Sequence, residues 1–226
     1  MPSLASIRRQ IITCERCPRL RAYCARIARQ KRAAFRDQTY WGRPVPGFGD
    51  PRARLLVIGL APAAHGGNRT GRLFTGDSSG DFLMAAMHRT GFASQPSSRS
   101  VDDGLKLTEA YIAAVVRCAP PENKPTPKEI DNCHAYLHGE LEQLTRVTAV
   151  VALGRLAFDG YWRLMKERGI RITPRPRFAH GLVYAPPGAP ALVASYHPSQ
   201  QNTFTGRLTE AMLVDVFRKA RKLIER

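Results

Sequence analysis

Four of the five cysteines are spaced for coordination chemistry. Cys14 and Cys17 form a C-x-x-C pair; 100 residues separate it from Cys118, and 14 more separate Cys118 from Cys133. Four thiolates with one close pair suit a tetrahedral zinc site or an iron–sulfur cluster. The competing reading is a set of small buried hydrophobes or free thiols. Cys24 reads as the spare, and an odd count argues against a disulfide framework. His134 and His138, at i and i+4 on one helix face, either join a mixed zinc site or are simply exposed.

A second group of residues follows the apolar run Arg54–Ile58. The stretch Gly59-Leu-Ala-Pro-Ala-Ala-His-Gly-Gly-Asn-Arg-Thr-Gly-Arg-Leu-Phe-Thr-Gly-Asp77 contains five glycines, two arginines and one acid, Asp77. Glycine costs backbone entropy on folding, so this density marks a backbone that bends tightly or approaches something closely. Asp77 is placed to cap the next helix, and a carboxylate there can also do chemistry. Further along, Asn123 carries both a donor and an acceptor, or is a turn residue between prolines. His197 leaves an apolar run just before Pro198.

These groups need a frame. Apolar runs at Arg54–Gly59, Tyr111–Val116, Thr148–Leu153 and Ala191–Ser195 read as buried strands. Helical patterns alternate with them: Ser79–Thr90, stopped by Gly91; Thr126 to about Leu144; Leu156–Arg168; and the amphipathic Leu208–Ile224. Thr126-Pro127-Lys128-Glu129 combines a Thr cap, Pro at the first helical position and a Glu three residues after the cap. Pro2–Arg32 reads as two helical stretches joined at Cys14–Pro18, and Thr39–Pro51 as an ordered Gly/Pro/aromatic loop. The alternation predicts a three-layer α/β/α fold around a four-stranded parallel sheet. Ligands of such sheets bind beyond the carboxyl ends of the strands. The loops after residues 59, 117 and 195 all leave there, so they are expected to share one cleft.

At 226 residues, 43% hydrophobic, the chain fits a single domain. No run has the length of a membrane span, and Met1–Gln10 lacks the apolar segment of a signal peptide, so a cytoplasmic, nucleoid-associated monomer is expected. Lys+Arg 35 against Asp+Glu 18 gives +17. That balance is either a solubilising surface or the mark of a polyanion partner, most often nucleic acid.

Together these pieces resemble the uracil-DNA glycosylase superfamily, and within it family 5, the type b enzymes. The resemblance rests on Gly59–Asp77, on Cys118-Ala-Pro-Pro-Glu-Asn-Lys-Pro125, and on His197-Pro-Ser199 with Thr205-Gly-Arg207 beyond. It implies excision of uracil and other deaminated or damaged bases from double-stranded DNA. It also implies a [4Fe–4S] cluster on Cys14, Cys17, Cys118 and Cys133, tying residues 1–50 as an extension to one domain spanning residues 1–226. Other branches of the superfamily carry an Asp, Asn or Glu early in the first motif. Leu60, Ala61 and Ala63 stand there, and Ala114 stands where related branches read the base with Asn. A roomier, less discriminating pocket follows, with Ala61 beside the base.

An enzyme of this kind extrudes the target nucleotide before the N-glycosidic bond breaks. The base leaves with negative charge and the sugar becomes cation-like, so a carboxylate and hydrogen-bond donors are needed. Asp77 takes the carboxylate role, with His197 and Asn123 facing the base or the adjoining phosphate. Phe74 is placed to stack on the base or to plug the core. Asn68 orients water or holds the loop. Ser199, Gln201, Asn202 and Arg207 are expected to grip phosphates and enter the gap left by the base. Two rivals stand beside this reading. One is a non-catalytic, metal-containing nucleic-acid-binding protein, and the other is an enzyme of free nucleotides, which lacks the Gly-Lys-Ser/Thr phosphate loop.

Overall fold

The computed structural model describes residues 3–170 and 173–225. Strands β2 (Leu55–Gly59), β3 (Ala110–Ala114), β4 (Ala149–Leu153) and β6 (Ala191–Ser195) are buried at every position. Their continuous apolar runs suit a parallel sheet covered on both faces. The two-residue strands β1 (Phe48–Gly49) and β5 (Val183–Tyr184) add antiparallel edges, giving the order β1-β3-β2-β4-β6-β5. The sheet therefore has six strands where four were expected. The four predicted strands are its parallel centre, and the edge pairs are too short to leave a pattern in the sequence. The registers Gly59↔Ala114 and Leu153↔Ser195 bring the carboxyl ends into line.

Alternate strand residues feed two cores. Leu56, Ile58, Val150 and Leu192 face α2 (Pro18–Gln30), α5 (Pro127–Gln143) and α6 (Arg155–Glu167). Leu55, Val57, Val151 and Val193 face α4 (Ser78–Arg89) and α8 (Glu210–Ile224). Helix α1 (Leu4–Ile12) packs Ile7 and Ile11 against Tyr136 of α5. Two short helices, α3 (Gly67–Thr70) and α7 (Gln200–Phe204), lie within segments expected to be loop.

Local chemistry sets the helix starts. Thr126 and Glu129 form the predicted reciprocal cap, with Pro127 in the first turn. Glu129 also accepts two bonds from Arg19 (2.8 and 2.7 Å), which fastens α2 to α5. Asp77, Ser199 and Thr209 cap α4, α7 and α8. Among the described residues, no helix is long and apolar enough to cross a membrane.

Candidate active site

Asp77 stands where the glycine loop meets α4. Its Oδ1 accepts the Gly80 N–H at 2.9 Å, the cap expected from sequence. Its Oδ2 lies against Gly66, where a Cβ would overlap it, so glycine at 66 is required by this close approach. Burial raises the Asp77 carboxyl above its ordinary value, and the Gly80 and Ser79 N–H groups oppose the rise.

Across the cleft, Phe74 and His197 meet with ring centroids 5.9 Å apart. Phe74 adopts φ +49°, and its ring covers Gly59 at the end of β2, where a Cβ would approach to 2.7 Å. It packs on the core beneath and stays half-buried, so it is both plug and exposed aromatic face. His197 is half-buried, and its Cβ sits 3.2 Å from the position a Gly154 Cβ would take. Burial lowers His197 to about 4, so its imidazole is neutral at physiological pH. The loops after β2 and β6 thus close over β4, as the topology requires.

The remaining candidates divide. Asn68 is 0% exposed and donates to the Cys24 and Ala64 carbonyls at 3.3 Å; it holds the loop and does not face the cleft. Asn123 is exposed at φ +57° beyond β3, on the same sheet edge, and no hydrogen bond joins it to Asp77 or His197. Ala61 is half-buried against the α2–α5–α6 core. Ser199 caps α7 through the Asn202 N–H, and the Asn202 amide donates to the His197 carbonyl at 2.8 Å. Asn202 is therefore an internal strut of the His197 loop. Gln201 is exposed, and Arg207 lies 4.6 Å over the Tyr196 ring.

Sequence reasoning missed three features. Phe204, at the end of α7, is 79% exposed. His65 bonds through Nδ1 to the Tyr40 hydroxyl at 3.0 Å. Arg69 and Arg72, read only as charge in the loop, are buried braces. Arg69 donates to the carbonyls of His65 and Gly76 (2.7 and 2.6 Å); Arg72 holds Asp103 (2.7 Å), Ser98 and Thr75 (2.9 Å each). An aromatic between Thr203 and Thr205, just ahead of Gly206, is the one signal the sequence offers for Phe204.

Cys17, Cys118 and Cys133 are buried, Cys14 is half-buried, and all are free thiols. Burial pushes the Cys133 thiol up to about 11, with Cys17 and Cys14 adding to the rise and Arg117 opposing it. Cys24 and Cys133 raise Cys118 in turn. The four segments therefore converge on one region. Cys24 joins it too, its Sγ 3.6 Å from the Ala119 carbonyl. His134 and His138 belong elsewhere, paired with Glu167 (2.7 Å) and Glu142 (3.7 Å). Among the described residues, no three Cys, His, Asp or Glu side chains converge tightly enough for a single ion.

A parallel α/β sheet whose carboxyl-end loops carry a half-buried carboxylate and a neutral imidazole, on a chain of +17, fits an enzyme with a polyanionic substrate. The chain belongs to the uracil DNA glycosylase superfamily, whose family profile matches residues 46–221. It is 51% identical over 222 residues to a type-5 uracil-DNA glycosylase of Mycobacterium tuberculosis, covering 98% of this chain and 82% of that one. It is 50% identical over 213 residues to the type-5 enzyme of Thermus thermophilus, covering 94% of each. A type-4 uracil-DNA glycosylase of Archaeoglobus fulgidus is 29% identical over 158 residues, 70% of this chain and 62% of that one.

Proposed function

We propose that the protein is a DNA-repair glycosylase that extrudes uracil from double-stranded DNA and hydrolyses its N-glycosidic bond, leaving an abasic site. The observation that carries this is Asp77, half-buried and held at the end of the glycine loop whose Phe74 ring meets His197 from the loop after β6. Its carboxylate faces the sugar cation and orients the attacking water. His197, neutral, donates a hydrogen bond to the leaving base without competing for the proton of Asp77. Phe74 offers its face to the extruded base. With only Leu60, Ala61, Ala63 and Ala114 along the pocket, hypoxanthine, mispaired thymine and larger lesions also fit the reading. Asn123 is an exposed polar side chain beyond β3 on that edge and reads the base when DNA closes the cleft.

Phe204 takes over the role expected of Gln201 and Asn202. An apolar wedge must be exposed and rigidly tied to the base pocket. Phe204 meets both needs, because Ser199 and Asn202 brace α7 against His197. Ser199, Gln201 and Arg207 lie beside it on the phosphate side.

The sulfur site supports a [4Fe–4S] cluster on Cys14, Cys17, Cys118 and Cys133. The donor set is thiol only, unbridged and mostly buried, and Arg117, 1% exposed, leaves its Nε without a partner in the same region. Bound, the cluster would supply a covalent tie between the α1–α2 connection, the loop after β3 and α5. Brown colour with iron and sulfide in the purified protein, lost in Cys133→Ala, is the expected result; stoichiometric zinc refutes it.

The function is tested with an end-labelled duplex containing one uracil, followed by alkali. Alkali-dependent cleavage at the uracil, and at hypoxanthine in a second duplex, is expected. Tight binding with no cleavage would instead favour the non-catalytic reading.

A further inference from the structure

The N-terminal segment carries charge that base excision has not used. Residues 1–49 hold eleven basic and two acidic residues, +9 of the chain's +17. Part of this segment is locked onto the glycine loop. The Trp41 N–H donates to the Arg69 carbonyl (2.8 Å), the Gly42 N–H to the Asn68 carbonyl (3.0 Å), and the Arg69 guanidinium lies 3.8 Å over the Phe35 ring. The wall it forms is exposed at Arg29, Arg32 and Arg36, whose side chains have no partner among the described residues.

His65 lies at the junction of this wall and the loop. The buried Tyr40 hydroxyl oxygen accepts the Arg32 backbone N–H at 3.4 Å and lies 3.0 Å from His65 Nδ1. Having accepted from Arg32, the hydroxyl has one proton to give, and Nδ1 is the acceptor in reach. If Nδ1 carried the proton instead, two donors would face the hydroxyl and its own proton would be stranded. The tautomer is thereby fixed with the proton on Nε2, the free edge of the ring. Burial, with Arg32 and Arg69 nearby, disfavours a second proton.

We propose that His65 is a substrate-positioning residue whose Nε2–H donates to a phosphate of the DNA strand, with Arg29, Arg32 and Arg36 gripping the neighbouring phosphates. A phosphate is the ligand of choice because Arg32, whose guanidinium has no partner among the described residues, lies near the His65 ring on a segment that also exposes Arg29 and Arg36, whereas the base pocket is placed on the Phe74–His197 side. The inference rests on the DNA substrate proposed above. It makes the Arg29–Arg36 wall a built part of the DNA interface, and it assigns two kinds of contact to it. A neutral imidazole releases no counterion and an arginine does, so the two are separable by salt.

The test measures binding and single-turnover excision of the uracil duplex across salt concentration for the wild type, His65→Phe, His65→Gln, Tyr40→Phe and Arg32→Gln. For His65→Phe we expect about tenfold weaker binding, a saturating rate within about threefold of wild type, and an unchanged salt slope. His65→Gln, which keeps a donor, should recover most of the affinity. Arg32→Gln should flatten the log Kd–log salt slope by about 0.9. In 15N-labelled protein the His65 ring should report protonation at Nε2, and Tyr40→Phe should mix the tautomers. Lost saturating rate with unchanged affinity in His65→Phe, no rescue by glutamine, or a proton on Nδ1 would each overturn the proposal. Failure of the wild type to release uracil, with His65-dependent binding intact, would refute the glycosylase reading and leave this one standing.

Discussion

Replacing Asp77 by Asn and by Ala separates the two tasks of this side chain. The cap bond from the Gly80 N–H needs only an oxygen, which Asn supplies; Ala removes it at a cost of about 1 kcal/mol, a drop of about 2–4 °C in Tm for a chain of this size. The charge is lost in both. A carboxylate about 4 Å from a unit cation, at an effective dielectric of about 20, contributes about 4 kcal/mol. The sugar carries most but not all of a unit charge at the top of the barrier, so about 3–4 kcal/mol is at stake. Both variants should therefore excise uracil about 10²- to 10³-fold more slowly in single turnover. Binding to an uncleavable uracil duplex should stay within about threefold, and only Ala should melt earlier. Wild-type excision by Asp77→Asn would refute the carboxylate's role and leave a helix cap alone.

Gly66→Ala places a methyl group where Asp77 Oδ2 lies, so it should slow excision at least tenfold with little loss of Tm; an unchanged rate would show that the carboxylate moves freely. The pH profile should lose rate on the acid side as Asp77 protonates, above the usual carboxylate range because burial raises it, while His197, lowered to about 4 by burial, stays neutral. The acid limb should persist in His197→Gln and vanish in Asp77→Asn. Phe204→Ala should reduce excision from U·A pairs more than from U·G mispairs or single strands, with Phe204→Leu intermediate; equal losses on all three would remove Phe204 from the wedge role. Burial pushes the Asp103 carboxyl up, but the Arg72 bond and three backbone N–H groups bring it down to about 2. Stability of about 2 kcal/mol is therefore present above pH 4 and lost as pH falls toward 2. Arg72→Gln should shrink that part of the acid unfolding curve, leaving the share held by the three backbone N–H groups, without changing the salt dependence of DNA binding.

The parallel centre of the sheet was legible because buried strands admit only apolar residues, and the start of α5 because Thr126 and Glu129 satisfy each other within four residues. The same locality explains Asp77, whose cap partner is three positions away. What was hidden depended on distance along the chain. Arg72 looks like a loop cation until Asp103 and Ser98, 31 and 26 residues on, fold over it. His65 is one more loop residue until Tyr40 reaches it from 25 positions before. Asn68 offers the same amide to water or to a carbonyl, and only the approach of α2, bringing the Cys24 carbonyl, decides. Position along the chain points to Gln201 and Asn202 for the wedge; the short helix α7 leaves Gln201 and Phe204 exposed and ties the Asn202 amide to the His197 carbonyl.

The absences near the start of the glycine loop and the acid at its end form one arrangement. Leu60, Ala61 and Ala63 offer no side-chain donor, and the groups that favour the Asp77 anion are the N–H groups at the N-terminus of α4 and the charge of Arg69. The helix end favours the anion, through the Gly80 and Ser79 N–H groups, and burial disfavours it; burial wins, and the carboxyl is raised. An anion held short of solvation gains more than a hydrated one when a positive charge develops beside it, since no water need be displaced. The apolar residues thus leave the carboxylate in need of a cation that exists only while the glycosidic bond breaks. Interactions of that kind raise the rate and not the ground-state affinity. On the proposed reading they also read nothing on the base, so a pocket that made Asp77 effective in this way would admit more than uracil.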